Sequence, residues 1–363
     1  MHSMTNLDPT WTTPRADEIR ALLIDRIEVR RRGVGVVVAV IDSEGQRIVA
    51  HGTTDRTDGQ AVNGHTVFEV GSTTKAFTSL LLAEMAQRGE VAFADPVSDY
   101  LPKGVTVPAR GGRRITLIDL ATHTSGLPFM DPAFLTRDPE HPHRLAGQAQ
   151  ALAEYTVQRM YRFLSDYSLP REIGDRFEYS NLGAGLLGHA LALRAGVDYE
   201  TLVAQRITRP LGMSSTAINL SDSLASRFAT GHDQALRPVP RLEVSALPGA
   251  GALCSTANDL LSFLAAELGF VAMPLRAAMS AQLEPRRRTL RKQTETALGW
   301  YVSATRVGEI VWHTGGTVGS ATFLGFDRAR RVGVVVLANS HSGDNLGHYV
   351  LAGLPLASAR TSA

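Results

Sequence analysis

The placement of strand-like runs constrains this chain most. Val34 to Ile41 is an almost unbroken β-branched run, which reads as a buried strand. Asp42-Ser43-Glu44-Gly45 is a turn signal, and Gln46 to His51 reads as the returning strand of a hairpin. From about residue 76 to 290, helical and loop signals dominate. Four strand-like runs follow: Ala297 to Ser303, Glu309 to His313, Ala321 to Phe326 and Val332 to Ala338. Strands at both ends with helices between predict an α/β (α+β) fold. One antiparallel sheet of about five strands is assembled from both termini. An amphipathic helix in residues 15–32 and a closing helix in 344–354 cover it. Residues 15–75 with 290–363 are thus expected to form the sheet subdomain, and 76–289 a mostly helical one, together a single unit.

Charge and cysteine content narrow the function. A net charge of +2 gives no reason to expect a nucleic-acid partner, and Arg30-Arg31-Arg32 and Arg286-Arg287-Arg288 read as solvated faces. Cys254 is the only cysteine, so no intrachain disulfide can form; its apolar surroundings make it a small core residue. No apolar run reaches the roughly 18 residues of a membrane span. Residues 1–17 show no apolar leader segment, so the sequence as it stands predicts a cytoplasmic location, or a periplasmic or secreted one for a chain whose leader has been removed.

Within this frame one stretch carries chemistry, Phe68-Glu69-Val70-Gly71-Ser72-Thr73-Thr74-Lys75-Ala76-Phe77-Thr78. Ser72 stands where a helix N-cap or first-turn residue belongs. Phe77, Leu80, Leu81 and Met85 then recur at helical spacing, with Gly89 as the stop. Ser72 and Lys75 are three apart and share a face. A serine hydroxyl needs a neighbouring base, and a lysine whose pKa is lowered can be that base. Of the 37 basic residues only Lys75, Lys103 and Lys292 are lysines. Arginine could not serve as the base, because it does not deprotonate. A capped helix with a solvated lysine is the plain alternative.

Two further stretches add partners. Tyr179-Ser180-Asn181 supplies a phenol that can relay a proton and an amide that can bond a lysine or a substrate. His313-Thr314-Gly315-Gly316 ends a strand in two glycines, which permits close backbone approach and an N–H directed at an oxyanion. Taken singly, Tyr179 reads as a core residue, Asn181 as a helix cap and His313 as an interior strand residue.

Together, Ser72-Thr73-Thr74-Lys75, Tyr179-Ser180-Asn181 and His313-Thr314-Gly315-Gly316 resemble the serine β-lactamase and penicillin-binding protein superfamily. The branch they resemble holds class C β-lactamases, D-alanyl-D-alanine carboxypeptidases and β-lactamase-like esterases. Leu120 through Pro128, Pro210-Leu211-Gly212-Met213 and Gly249 through Leu264 share the likeness, which spans roughly residues 20–350. The resemblance implies a β-lactamase/transpeptidase-like fold with Ser72 as acylated nucleophile and Lys75 with Tyr179 as the general base and acid pair. It implies Asn181 bonding Lys75 and the substrate amide. It places an oxyanion hole at the N–H groups of Ser72 and Gly316, and the leaving group beside His313, Thr314 and Gly315. It implies no cofactor and no metal, and a small-molecule or peptide substrate.

His313 departs from the lysine that many β-lactamases carry at this place. The expectation is therefore a serine hydrolase of the esterase or D-amino-acid peptidase type, with weak β-lactam turnover. A class C-like β-lactamase, an acyltransferase and a non-catalytic scaffold are the alternatives. An α/β-hydrolase is excluded because no Gly-x-Ser-x-Gly occurs. If His313 binds a substrate carboxylate as a cation, turnover of acidic substrates should fall above a pH of roughly 6.5. His123 reads as a structural loop residue, His141-Pro142-His143 shows no metal-ligand pattern, and the long 128–146 loop reads as a pocket cover or a surface excursion. Oligomeric state is left open.

Overall fold

A computed structural model describes residues 11–132, 150–341 and 345–356. Most of the 128–146 loop, including His141 and His143, lies outside these residues, as does Asp344 at the start of the expected last helix.

The β-branched run becomes β1 (Gly35–Asp42), and the turn after it returns the chain as β2 (Gly45–Gly52). A short strand, β3 (Phe68–Glu69), leads into the Ser72 stretch and pairs with β4 (Cys254–Ser255). The C-terminal part supplies β5 (Arg287–Arg288), β6 (Thr294–Thr296), β7 (Tyr301–Thr305), β8 (Gly308–Gly316), β9 (Ala321–Asp327) and β10 (Val332–Ala338). The main sheet runs β2-β1-β10-β9-β8-β7-β6-β5, antiparallel throughout. Val36 lies opposite Ala338 and Val40 opposite Val334, so the two ends of the chain are zipped together at the centre.

The sheet has eight strands rather than about five. Six of them correspond to the six strand-like runs; the additions, β5 and β6, are two and three residues long and carry Arg, Thr and Glu at the edge. Nothing apolar alternates there to announce them. The expected Ala297–Ser303 strand is also redrawn. Its first half is a tight turn between β6 and β7, with Ala297 N–H bonded to Trp300 C=O at 2.8 Å and Gly299 at φ +69°. A Cβ on Gly299 would lie 2.4 Å from the Lys75 carbonyl oxygen, so the turn is seated directly on the Lys75 helix.

Five helices matter to the site: α1 (Ala16–Ile24), α2 (Thr74–Gln87), α3 (Asn181–Ala195), α4 (Ala257–Glu267) and α5 (Leu346–Ala352). On one face of the sheet, Val36, Val38 and Val40 pack with Ile19 and Leu23 of α1 and Val350 and Leu351 of α5. On the other, Val37, Ala39 and Ile41 join the larger core with α2, α3 and α4. Successive side chains of β1 therefore both find a core, which is why its sequence is continuously apolar. Each such side chain contributes ~1.5–3 kcal/mol on burial. The helix expected over residues 15–32 is α-helical only to Ile24, then widens into a π turn, Asp25–Val29.

Helix α2 is buried on every side from Thr74 to Met85. Its Phe77 ring lies 4.7 Å from Phe263 of α4. Gly89, at φ +70°, closes it with Gly89 N–H on Ala86 C=O and Glu90 N–H on Met85 C=O. No helix among the described residues is long and apolar enough to cross a membrane.

The hairpin β8–β9 touches the segment before α2 so closely that one position tolerates no side chain. A Cβ on Gly315 would sit 1.9 Å from the Val70 carbonyl oxygen and 2.3 Å from Thr322 Oγ1. Gly315→Ala must push hairpin and helix apart. We expect it to lower stability by about 1–3 kcal/mol, measured by urea unfolding.

Candidate active site

Ser72 is not a helix cap. It sits in a 3-10 turn, Gly71–Thr73, that feeds into α2 at Thr74, and no side chain caps that turn. The hydroxyl is thereby left for another partner. Lys75 Nζ lies 2.9 Å from Ser72 Oγ, 2.7 Å from Asn181 Oδ1 and 2.6 Å from the Ala250 carbonyl oxygen. The expected alternative of a solvated lysine does not hold, because Lys75 is 2% exposed.

All three partners of the Lys75 amine are oxygens. The amide oxygen of Asn181 and the carbonyl of Ala250 can only accept. The Ser72 hydroxyl can donate. The geometry accommodates an ammonium giving one N–H to each of the three oxygens, and equally a neutral amine that gives two and turns its lone pair to the Ser72 O–H. Burial pushes the Lys75 pKa well below the usual lysine range, in the direction of the neutral amine.

Asn181 is free to do this because its neighbour does the capping. Ser180 Oγ accepts from Gly183 N–H at 2.8 Å and donates to the Pro128 carbonyl at 2.6 Å. Tyr179, immediately before, is part-exposed, and its ring centroid is 4.9 Å from Lys75 Nζ. Burial raises its phenol, a contact with the Ser72 hydroxyl working the other way. The phenol therefore keeps its proton. His123 supports it from behind, with rings 4.5 Å apart and His123 Nδ1 accepting the Ser180 N–H at 3.1 Å. That acceptor role, and a pKa driven well down first by burial, make His123 a neutral wall of the site.

The third stretch lies on β8. Thr317 N–H bonds to Ser320 C=O at 3.0 Å, so the next pair down, Gly316 with Ala321, is an unbonded pair. The Gly316 N–H thus points out of the β8–β9 ladder. It lies past the end of β7, which pairs with β8 only as far as Trp312. Gly71, at φ +49°, packs so near that a Cβ on it would meet Gly316 N at 2.8 Å. This brings the Ser72 turn and the Gly316 N–H to one place. Thr314 is exposed, and strand alternation turns its side chain to the face away from Lys75, where it lines a cavity with His341 and His348. Thr314 and Gly316 present their backbone on the same strand edge.

His313 is 2% exposed, and its Nδ1 donates to the Thr314 carbonyl at 2.6 Å. Burial, then Lys75, lower its pKa to about 3. Desolvation disfavours the charged form of His313, which weighs against the conditional reading of it as a cation for a substrate carboxylate and agrees with a mostly neutral histidine. The Ala250 carbonyl is a partner that sequence reasoning missed. A backbone acceptor leaves no side-chain signal, although the small residues of Gly249-Ala250-Gly251 mark where a backbone can come so close. Among the described residues no group of three or more His, Cys, Asp or Glu could hold a metal ion.

A serine paired with a buried lysine at the head of a central helix faces a tyrosine and a glycine-ended strand. The chain belongs to the Beta-lactamase family, whose sequence model matches residues 20–352. With it the chain joins the serine β-lactamase and penicillin-binding protein superfamily of serine hydrolases. The D-alanyl-D-alanine-carboxypeptidase/endopeptidase AmpH of Escherichia coli (strain K12) is 28% identical over 335 residues, 89% of this chain and 83% of that protein. Among solved structures, a Beta-lactamase/D-alanine carboxypeptidase from Yersinia pestis, complexed with citrate, is 26% identical with a TM-score of 0.74 over 89% of this chain and 93% of that one. A class C beta lactamase from Rhodobacter sphaeroides is 27% identical with a TM-score of 0.73, over 89% and 94%.

The buried neutral imidazole has a consequence for stability. With a folded pKa of about 3 against an unfolded value of roughly 6.5, the unfolded chain binds more protons between the two. Its contribution is complete above pH ~6.5 and is lost as pH falls toward 3. Replacing His313 with Asn should reduce the drop in melting temperature between pH 7 and pH 5, read by thermal denaturation at the two pH values.

Proposed function

We propose that the protein is a serine hydrolase that forms an acyl-enzyme at Ser72 on an ester or amide, of the esterase or D-amino-acid peptidase type, with weak β-lactam turnover. The observation that carries this reading is the Lys75 amine, buried and held by two pure acceptors with its third direction on Ser72 Oγ. In the proposed reaction Ser72 Oγ attacks the carbonyl carbon as its proton passes to Lys75. The oxyanion meets the N–H groups of Ser72 and Gly316, each worth about 3 kcal/mol of barrier. Tyr179 delivers its proton to the leaving group as the carbonyl–leaving-group bond breaks and takes a proton back from Lys75; water then attacks the acyl-enzyme, giving its proton to Lys75, which returns it to Ser72 Oγ as the acyl bond breaks. Asn181 orients Lys75 and bonds the acyl-side amide. The edge of β8 at Thr314 to Gly316 aligns the substrate backbone, and His313 walls the leaving-group side.

The surroundings favour uncharged substrates. Around Tyr179 stand the part-exposed rings of Phe129, at 6.2 Å, and of Phe177 and Tyr301, the latter 5.5 Å from His313. Neutral His313 offers a carboxylate no ionic anchor. A second reading, cleavage of D-alanyl-D-alanine peptides or of β-lactams, draws support from the names of the relatives. It would need the carboxylate to be held by hydrogen bonds alone.

Hydrolysis of p-nitrophenyl butyrate should be lost in Ser72→Ala and fall roughly 100- to 10,000-fold in kcat/KM in Lys75→Arg, since a guanidinium cannot act as the base. Nitrocefin measured in parallel ranks esterase against β-lactamase. A protein whose Ser72 takes up no serine-directed phosphonate and which turns over neither substrate would be a scaffold instead. The ratio of kcat/KM for a carboxylate-bearing ester to that for a neutral one should stay constant from pH 5 to pH 8. A fall in that ratio near pH 6.5 would restore the cationic His313.

A further inference from the structure

Glu69 is a buried carboxylate that the proposed chemistry does not use. It is 4% exposed and lies three residues before Ser72, at the end of β3. Its Oε2 accepts from Thr317 Oγ1 at 2.8 Å and from Ser320 Oγ at 3.3 Å, and its Oε1 accepts from Leu242 N–H at 2.6 Å. Thr317 and Ser320 are the two ends of the β8–β9 turn. We propose that Glu69 is a positioning residue, whose carboxyl group fixes this turn and through it the Gly316 N–H opposite Ser72. The proposal rests on the hydrolase reading above and adds a residue to it.

The donor and acceptor inventory makes the carboxylate hard to replace. Thr317 Oγ1 already accepts the N–H groups of Gly319, at 3.3 Å, and Ser320, at 3.1 Å. Both of its lone pairs are in use, so its hydroxyl hydrogen must be given away, and Glu69 takes it. On the other side Leu242 N–H can only donate. Glu69 must therefore accept at both oxygens, which a carboxylate does and a carboxamide does not. A glutamine would turn its NH2 either on Leu242 N–H or on the Thr317 and Ser320 hydroxyls, and one set of bonds is lost either way.

The same turn is stitched to the Ser72 segment at successive residues. Val70 C=O accepts from Thr322 Oγ1 at 3.0 Å, Gly71 packs on Gly316, and Thr73 Oγ1 meets Thr322 Oγ1 at 3.1 Å. Glu69 is the member of this series that holds the turn beyond Gly316. Releasing it shifts the Gly316 N–H relative to Ser72, where a displacement of about 1 Å is felt mainly in the chemical step.

The test compares wild type, Glu69→Gln, Thr317→Val and the double variant on p-nitrophenyl butyrate. Phosphonate titration of Ser72 counts folded sites, so partial misfolding is divided out. We expect kcat per titrated site to fall roughly 10- to 100-fold in each single variant, with KM within about 3-fold of wild type. The double variant should be no more than about 3-fold worse than the poorer single one, because both act through one turn. An unchanged kcat per site, a change confined to KM, or losses that multiply would each overturn the role of Glu69. Wild type that neither turns over the ester nor labels at Ser72 would overturn the hydrolase reading itself, and this role with it.

Discussion

A lysine amine in a dry interior is the constraint on which this structure turns. Taken out of water, an ammonium with incomplete partners is far more costly than a neutral amine. Lys75 meets that condition with three contacts drawn from three separate parts of the chain: the 3-10 turn before its helix at Ser72, the start of α3 at Asn181, and the small-residue segment at Ala250. For all three to lie within 3 Å at once, α2 must be packed on every side. Its burial from Thr74 to Met85 shows that it is. The apolar helix is therefore a structural requirement of the amine it carries, as much as a core element in its own right.

The second constraint is distance along the chain. Thr73 and Thr322 share a hydrogen bond across 249 residues of sequence, and Glu69, Val70 and Gly71 each touch the same hairpin. Such contacts are slow to find and carry a large loop-closure cost. Pairing of β1 with β10 meets it once for the whole molecule. After the two ends are zipped, the Ser72 segment and the β8–β9 hairpin are near neighbours, and glycines at 71, 315 and 316 let their backbones touch.

Much of this was legible in the residues, for identifiable reasons. Strands buried on both faces, such as β1 and β10, announce themselves by unbroken apolar runs, and the glycines at 89, 315 and 316 mark backbone that must bend or touch. What stayed hidden lacks such a signature. Strands β5 and β6 are short, polar and at an edge. The turn at 297–300 is apolar because it lies on α2, so it imitates a strand. Ser72 resembles a cap, yet its hydroxyl is claimed by Lys75. His313 shows most clearly what sequence cannot supply: its charge depends on solvent access, and a histidine that would be partly cationic in water is neutral at 2% exposure. The bond from Lys75 to a backbone carbonyl is invisible in principle, since any residue could furnish it.

The electrostatics of the site follow from these burials taken together. Burial lowers the pKa of Lys75, His123 and His313 and raises that of Tyr179, so each of these groups around Ser72 is pushed toward its uncharged form. On the proposed mechanism two charges then appear together, an oxyanion beside Gly316 and an ammonium on Lys75. Burial alone would make Lys75 a good base and its conjugate acid a poor product. Asn181 Oδ1 and the Ala250 carbonyl correct this, because the dipoles that hold the neutral amine bind the ammonium more strongly, and they are in place before the proton arrives. A cation at position 313 would add a fixed positive charge beside that nascent ammonium and work against it. On the proposed mechanism the neutral histidine thus fits a site whose charge separation is created and cancelled within one turnover.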